Sequence, residues 1–115
     1  MNKSHPFDKS RPFDLICMGR VAVDFYADQI HSPLEHAQSF SRYLGGCAGN
    51  ISVGTSRLGL KSVMFSCVGT DDMGIFLRNK LQFEGVDTSL LRLTPDHLTG
   101  LVVLGVSPPD RFPLI

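Results

Sequence analysis

The chain has 115 residues, 43% of them hydrophobic and 19% charged, and its 11 basic and 11 acidic side chains cancel to a formal net charge of zero. That length holds one domain or part of one, the apolar content excludes a disordered chain, and the charge balance leaves no electrostatic footprint for nucleic acid or an anionic membrane surface. No apolar run approaches the roughly 20 residues that span a bilayer, and the Pro-broken opening MNKSHPFDKSRPFD offers nothing to a signal peptidase, so a soluble, cytoplasmic protein with no nucleic-acid or membrane partner is expected.

Residues 1–12 read as a flexible leader. Phe13 to Gly19 is a short apolar run ending at glycine, the form of a strand buried on both faces. Val21 to Tyr26 continues with β-formers, interrupted by Asp24. Gln29 to Tyr43 is more polar and without a clean period, and Ser32-Pro33 suggests a turn. The glycine-rich stretch Leu44 to Asn50 leads into a helix reaching about Leu58, with Ala48, Ile51, Thr55 and Leu58 at helical spacing and Gly59 as its stop. Lys61 to Val68 is a second apolar strand, closed by Gly69. Thr70-Asp71-Asp72 places acids against the positive end of a helix. That helix carries Met73, Phe76, Leu77, Leu81 and Glu84 on one stripe and stops at Gly85. Leu90–Leu93 and Leu101–Val106 are further strands, and Ser107 to Asp110 turns the chain into Phe112–Ile115. This order defines an α/β protein with a parallel sheet and right-handed crossovers. An apolar run at Phe112–Ile115 without a polar tail reads as the front portion of a longer protein.

Cys17, Cys47 and Cys67 form no CxxC pair, and His5, His31, His36 and His97 show no ligand spacing, so neither a disulfide framework nor a metal site is expected. Cys17 and Cys67 fall in expected buried strands. Cys47 sits among loop amides that stabilise a thiolate, yet no His or Asp is patterned beside it, and it reads as a small filler.

Gly45-Gly46-Cys47-Ala48-Gly49-Asn50 is the most informative stretch. Three glycines in five residues before a helix permit positive φ and bring amide N–H groups close to a ligand. The helix N-terminus adds unpaired donors and partial positive charge. Asn50 in the first turn supplies a donor and an acceptor. Such a loop suits a polyhydroxylated, anionic or phosphorylated small molecule; the alternative is a turn that only lets helix and strand pack closely. The dinucleotide fingerprint fails on glycine spacing, and a Walker-type loop starting at Gly54 fails because Leu60 stands where lysine is required.

Gly45 to Ser52, followed by Gly59 and Gly69, resembles the signature of the ribokinase-like (PfkB-type) carbohydrate kinases, and the likeness runs from Phe13 to Ile115. It includes Gly19-Arg20-Val21-Ala22-Val23-Asp24 and Val68-Gly69-Thr70-Asp71-Asp72-Met73-Gly74. The resemblance implies a Rossmann-like α/β core, a small β-sheet lid and a sugar between them. It also implies that Asp24 hydrogen-bonds sugar hydroxyls and that Gly45, Gly46 and Asn50 lie along the sugar. ATP and Mg2+ are implied cofactors, and pairing of two copies through the lid is a further expectation. An ionised carboxylate accepting two hydroxyl donors suits the role of Asp24; its alternative is an exposed acid at a strand end. Arg20, four residues earlier, would face the same side on a continuous strand. There it would either meet the carboxylate of a sugar-acid substrate, for which a guanidinium is well shaped, or pair internally with Asp24.

Phosphoryl transfer to a hydroxyl needs a base, a cation and donors for the transferring group. The family supplies the base from a Gly-Ala-Gly-Asp segment, which this sequence lacks. Asp71 and Asp72 read as helix-start acids, so no catalytic residue is assigned, and the base and the nucleotide and magnesium sites are expected beyond residue 115. The chain is thus expected to be the sugar-side part of an ATP-dependent kinase, inactive alone. The alternatives are a truncated module that binds a sugar or a partner without catalysis, or a kinase acting on another substrate of the family.

Overall fold

A computed structural model describes residues 6–115; His5 and the first part of the leader lie outside them. Three strands, β1 (Leu15–Met18), β4 (Ser62–Gly69) and β5 (Leu91–Thr94), form a parallel sheet in the order β1-β4-β5. A second sheet of β3 (Phe40–Gly45), β2 (Ala22–Ala27) and β6 (Leu101–Leu104) has the order β3-β2-β6, with β2 antiparallel to β3 and parallel to β6. Helix α1 (Cys47–Arg57) leads from β3 of the second sheet into β4, and α2 (Asp72–Phe83) connects β4 to β5. The expected α/β core with a parallel sheet and a small additional sheet is therefore present.

The core is built where the periodicities meet. Leu77 and Leu81, one turn apart on α2, are fully buried against Met64 and Val68 of β4, Cys17 of β1 and Val23 of β2. Each such aliphatic side chain removed from water contributes about 1.5–3 kcal/mol. Met73 and Phe76 pack half-buried beside them, as their place on the stripe predicts. Asp71 caps α2, accepting from the backbone N–H of Met73 and of Gly74, both at 3.0 Å. Its second oxygen accepts from the N–H of Thr99 at 2.8 Å. The Thr99 N–H foremost, then that of Gly74, holds the Asp71 carboxyl below its ordinary value. Thr99 closes the knot by accepting from the N–H of Gly69 at 3.0 Å. The helix-start acid thus also ties the end of β4 to the segment that enters β6 of the second sheet.

Several expectations are corrected. The first strand is not covered on both faces: Ile16, Met18 and Phe65 remain 55, 75 and 48% exposed, because α1 and α2 pack on the same side of the sheet. Cys67 shares that open face and is exposed, whereas Cys17 is buried. The buried face of α1 is Ala48, Gly49 and Ser52, not the apolar stripe through Ile51 and Leu58, which are 53 and 82% exposed. Small residues win there because the helix lies close to its neighbours. A Cβ at Gly49 would stand 2.9 Å from Val21 Cγ2, and Thr55 Oγ1 meets Ser62 Oγ of β4 at 2.7 Å. The segment Gln29–Tyr43 contains a 3-10 turn at Leu34–His36 and most of β3, a strand that its polar, aperiodic sequence does not predict. Val21–Tyr26 is not a continuation of β1 but a strand of the second sheet. In the leader, Ser10 N–H donates to Asp8 at 2.9 Å and Lys61 Nζ donates to the carbonyls of Lys9 and Arg11, so residues 8–11 form a turn against the start of β4.

A bidentate ion pair joins the helix ends. Glu84, with a side chain only 8% exposed, accepts from Arg57 Nε at 2.7 Å and Nη2 at 2.6 Å, with Lys80 Nζ at 3.2 Å. The Arg57 hydrogen bonds hold its carboxyl down to about 2, against an ordinary value of 4.5. A carboxylate with a depressed folded-state pKa stabilises the fold above its unfolded pKa, and that contribution is lost as protons bind on the way down. Urea midpoints measured from pH 6 down to pH 2.5 are expected to fall less steeply in Glu84→Gln than in wild type below about pH 4.5. Parallel curves would show that the pair contributes nothing.

Candidate functional site

The site begins at the step from β3 into α1. Gly45 ends β3 beside Ala22, two register places from Asp24 on β2 and on the same face. A Cβ at Gly45 would overlap the Asp24 carboxylate, so the bare α-carbon is the floor on which that carboxylate rests. Gly46 follows with φ +88° and caps α1, where a side chain would be strained and would meet the carbonyl oxygen of Arg20 at 2.5 Å. The Gly46 carbonyl accepts the Asn50 N–H at 2.9 Å, placing Asn50 in the first turn. No side chain caps α1; the Gly49 N–H goes to the Arg20 carbonyl, which leaves the N–H groups of Cys47 and Ala48 to solvent or a ligand.

Asp24, Tyr26, Tyr43, Leu44 and Asn50 enclose a hollow of about 420 Å³ between the second sheet and the first turn of α1, within the range of small-molecule sites. The half-buried Asp24 carboxylate makes no hydrogen bond or ion pair with the described residues. Asn50 is exposed at the rim. Of the residues singled out from sequence, Asp24 and Asn50 line the hollow, Gly45 lies under the Asp24 carboxylate and Gly46 stands at the start of α1. Arg20 does not join them. Gly19, at φ +146°, breaks the chain before β2, which begins only at Ala22, so the continuous strand assumed for Arg20 and Asp24 is not formed. The Arg20 side chain is exposed, does not line the hollow and makes no ion pair with Asp24. Its backbone carbonyl instead accepts the Gly49 N–H at 3.4 Å.

Tyr26, Tyr43 and Leu44 were not singled out from sequence. Tyr26 was findable by alternation from Asp24, two residues earlier on the same face. Tyr43 stands opposite Asp24 in the β2–β3 register and was hidden because β3 was not recognised. The two rings make an edge-to-face pair with centroids 5.5 Å apart.

Among the described residues no group of three or more His, Cys, Asp or Glu comes together, and both Asp71 oxygens are occupied by backbone N–H donors. No helix among them is long and apolar enough to cross a membrane.

A parallel-sheet core joined to a small sheet that overhangs a hollow defines the class, the ribokinase-type sugar kinases. An uncharacterized sugar kinase from Pyrococcus horikoshii superposes with a TM-score of 0.82 at 29% identity, over 88% of this chain and 34% of its own; the same kinase has also been solved in complex with ATP. A PfkB protein from a Polaromonas species gives a TM-score of 0.84 at 34% identity, over 90% of this chain and 34% of its own. The sequence pattern of the pfkB family carbohydrate kinases matches residues 13–112, and the chain belongs to that family. The 5-dehydro-2-deoxygluconokinase of Geobacillus kaustophilus is 37% identical over 105 residues, which are 90% of this chain and 31% of that protein. Its counterpart from Clostridium tetani is 47% identical over 83 residues, 72% of this chain and 24% of that protein. The chain thus spans between 24 and 34% of the length of these relatives.

Proposed function

We propose that these residues form the sugar-side part of an ATP-dependent kinase that phosphorylates 5-dehydro-2-deoxy-D-gluconate in inositol catabolism. The observation that carries this reading is the Asp24 carboxylate, without a partner among the described residues, resting on Gly45 in the same hollow as Asn50. A carboxylate in that position accepts hydrogen bonds from two adjacent hydroxyls, and charge-assisted bonds are the strong ones. Gly45 and Gly46 let the backbone approach the sugar, and Asn50 supplies a donor and an acceptor. Arg20 lies outside the lining and has no acid partner among the described residues; its assignment to the substrate carboxylate rests on the shape and charge of the guanidinium. The base, the nucleotide and magnesium belong to the segment that the longer relatives carry and this chain does not match.

Titration calorimetry of the 115-residue chain with 5-dehydro-2-deoxy-D-gluconate is expected to give saturable heat, while the same chain consumes no ATP. Absence of saturable binding overturns the sugar reading, and ATP turnover overturns the division of labour. In Arg20→Ala the preference for the acid over a neutral sugar is expected to fall; an unchanged preference removes Arg20 from the site.

A further inference from the structure

The stretch from Gly69 to Gly74 contributes nothing to the lining of the hollow, yet its hydrogen bonds lead to the strand that carries Asp24. One Asp71 oxygen caps α2 through the N–H groups of Met73 and Gly74. The other accepts the Thr99 N–H at 2.8 Å, 28 residues away in the chain. Gly69 lets that segment come close, since a Cβ there would stand 2.7 Å from the His97 carbonyl oxygen and 2.9 Å from the Thr99 nitrogen. Thr99 is buried and accepts the Gly69 N–H in return at 3.0 Å. One residue further, the Gly100 carbonyl accepts the N–H of Val23 at 3.0 Å. Val23 precedes Asp24, which stands opposite Val102 in the β2–β6 register. Short backbone links and hydrogen bonds thus run unbroken from the start of α2 to the Asp24 backbone.

We propose that Asp71 is a positioning residue, whose second carboxylate oxygen fixes the entry of β6 at Thr99 and, through β6, the place of Asp24 in the hollow. The inference rests on the sugar reading above and adds a residue that does not touch the sugar. Capping accounts for only one of the two oxygens. Asn or Ser caps a helix about as well as Asp, and neither brings a second anionic oxygen to the Thr99 N–H. In Asp71→Asn the amide oxygen keeps the cap, and the NH2 group then faces another donor at Thr99. The segment 97–100 moves off Gly69 and the Val23 bond loosens with it. The core around Leu77, Leu81 and Met64 is left as it was.

The test titrates 5-dehydro-2-deoxy-D-gluconate calorimetrically into the 115-residue wild type, Asp71→Asn, Asp71→Ser and Glu84→Gln. Hydrogen exchange is followed in each at the Val23 amide, bonded to Gly100, and at the Met64 amide, bonded to the Asp87 carbonyl. Both Asp71 variants are expected to bind about tenfold more weakly, the worth of one hydrogen bond to a charged group. Their Val23 amide is expected to exchange about tenfold faster, with Met64 changed by less than about threefold. Glu84→Gln, altered at the far end of α2, is expected to bind as wild type does. Wild-type affinity in both Asp71 variants, with binding still lost in Asp24→Ala, overturns the positioning role and leaves the sugar site standing. Equal weakening in Glu84→Gln, or Val23 and Met64 amides accelerating alike, also overturns it by assigning Asp71 to general stability. Weaker binding with Val23 exchange unchanged overturns the route through β6. If wild type gives no saturable heat, the positioning role falls together with the sugar reading.

Discussion

Replacing Gly45 by alanine is expected to abolish sugar binding while leaving the fold intact, the same outcome as Asp24→Ala reached from the opposite side. The added methyl falls on the Asp24 carboxylate, whose atoms are the three nearest to it. That obstacle is the far end of a rotatable side chain, so Asp24 relieves the clash by changing rotamer, at a cost of about 1 kcal/mol. The backbone of β2 and β3 need not move. What is lost is the carboxylate's place over the hollow. Two charge-assisted hydrogen bonds at about 1.5–3 kcal/mol each give a fall in affinity of about a hundredfold or more. Calorimetry with 5-dehydro-2-deoxy-D-gluconate is expected to show no saturable heat for either variant, with thermal midpoints within a few degrees of wild type. Wild-type affinity in Gly45→Ala would mean that the carboxylate does not hold the sugar, and a collapsed midpoint would mean that Gly45 serves packing alone.

That pairing shows how far the sequence speaks for the structure. Asp24 and the glycines were legible because their chemistry is local: glycine before a helix, an acid at the end of a β-run. The contact between them was not, because it depends on β3, and Phe40–Gly45 carries Ser41 and Arg42 where a buried strand would carry aliphatics. A lid strand has one face toward a ligand and the other against a helix. Its alternation is blurred further because Arg42 serves as a packing residue, with its guanidinium 4.2 Å from the centre of the Phe76 ring. Tyr43 disappeared with the strand that bears it. The misread face of α1 has a related cause. Hydrophobic periodicity marks Ile51 and Leu58, but a helix packed closely enough to place Asn50 in the site must turn Gly49 and Ser52 inward, and these carry no hydrophobic signal. Helix α2 packs at ordinary distance through Leu77 and Leu81, and its stripe was read correctly.

Close packing of backbone on backbone also separates two further glycine-to-alanine changes. In Gly74→Ala, in the first turn of α2, the new methyl would overlap the carbonyl of Gly69 and stand 2.8 Å from Thr99 Oγ1. The obstacle here is the end of β4, held by its ladder to β5, and no rotamer change removes it. The helix must lift, which takes Asp71 away from the N–H of Thr99 and Thr99 away from the N–H of Gly69. Overpacking of this kind costs up to about 3 kcal/mol even before the knot is lost, a large share of the 5–15 kcal/mol typical of a domain. Gly54 lies in the middle of α1 with nothing within 4 Å of where a Cβ would stand. Alanine there restricts only the unfolded chain and is expected to stabilise by about 0.5–1 kcal/mol. Urea unfolding of the two variants is therefore expected to move the midpoint in opposite directions, down sharply for Gly74→Ala and up slightly for Gly54→Ala. A Gly74→Ala midpoint equal to wild type would show that the end of β4 and the start of α2 are not in contact, and the junction that ties the first sheet to the segment entering β6 would have to be built elsewhere.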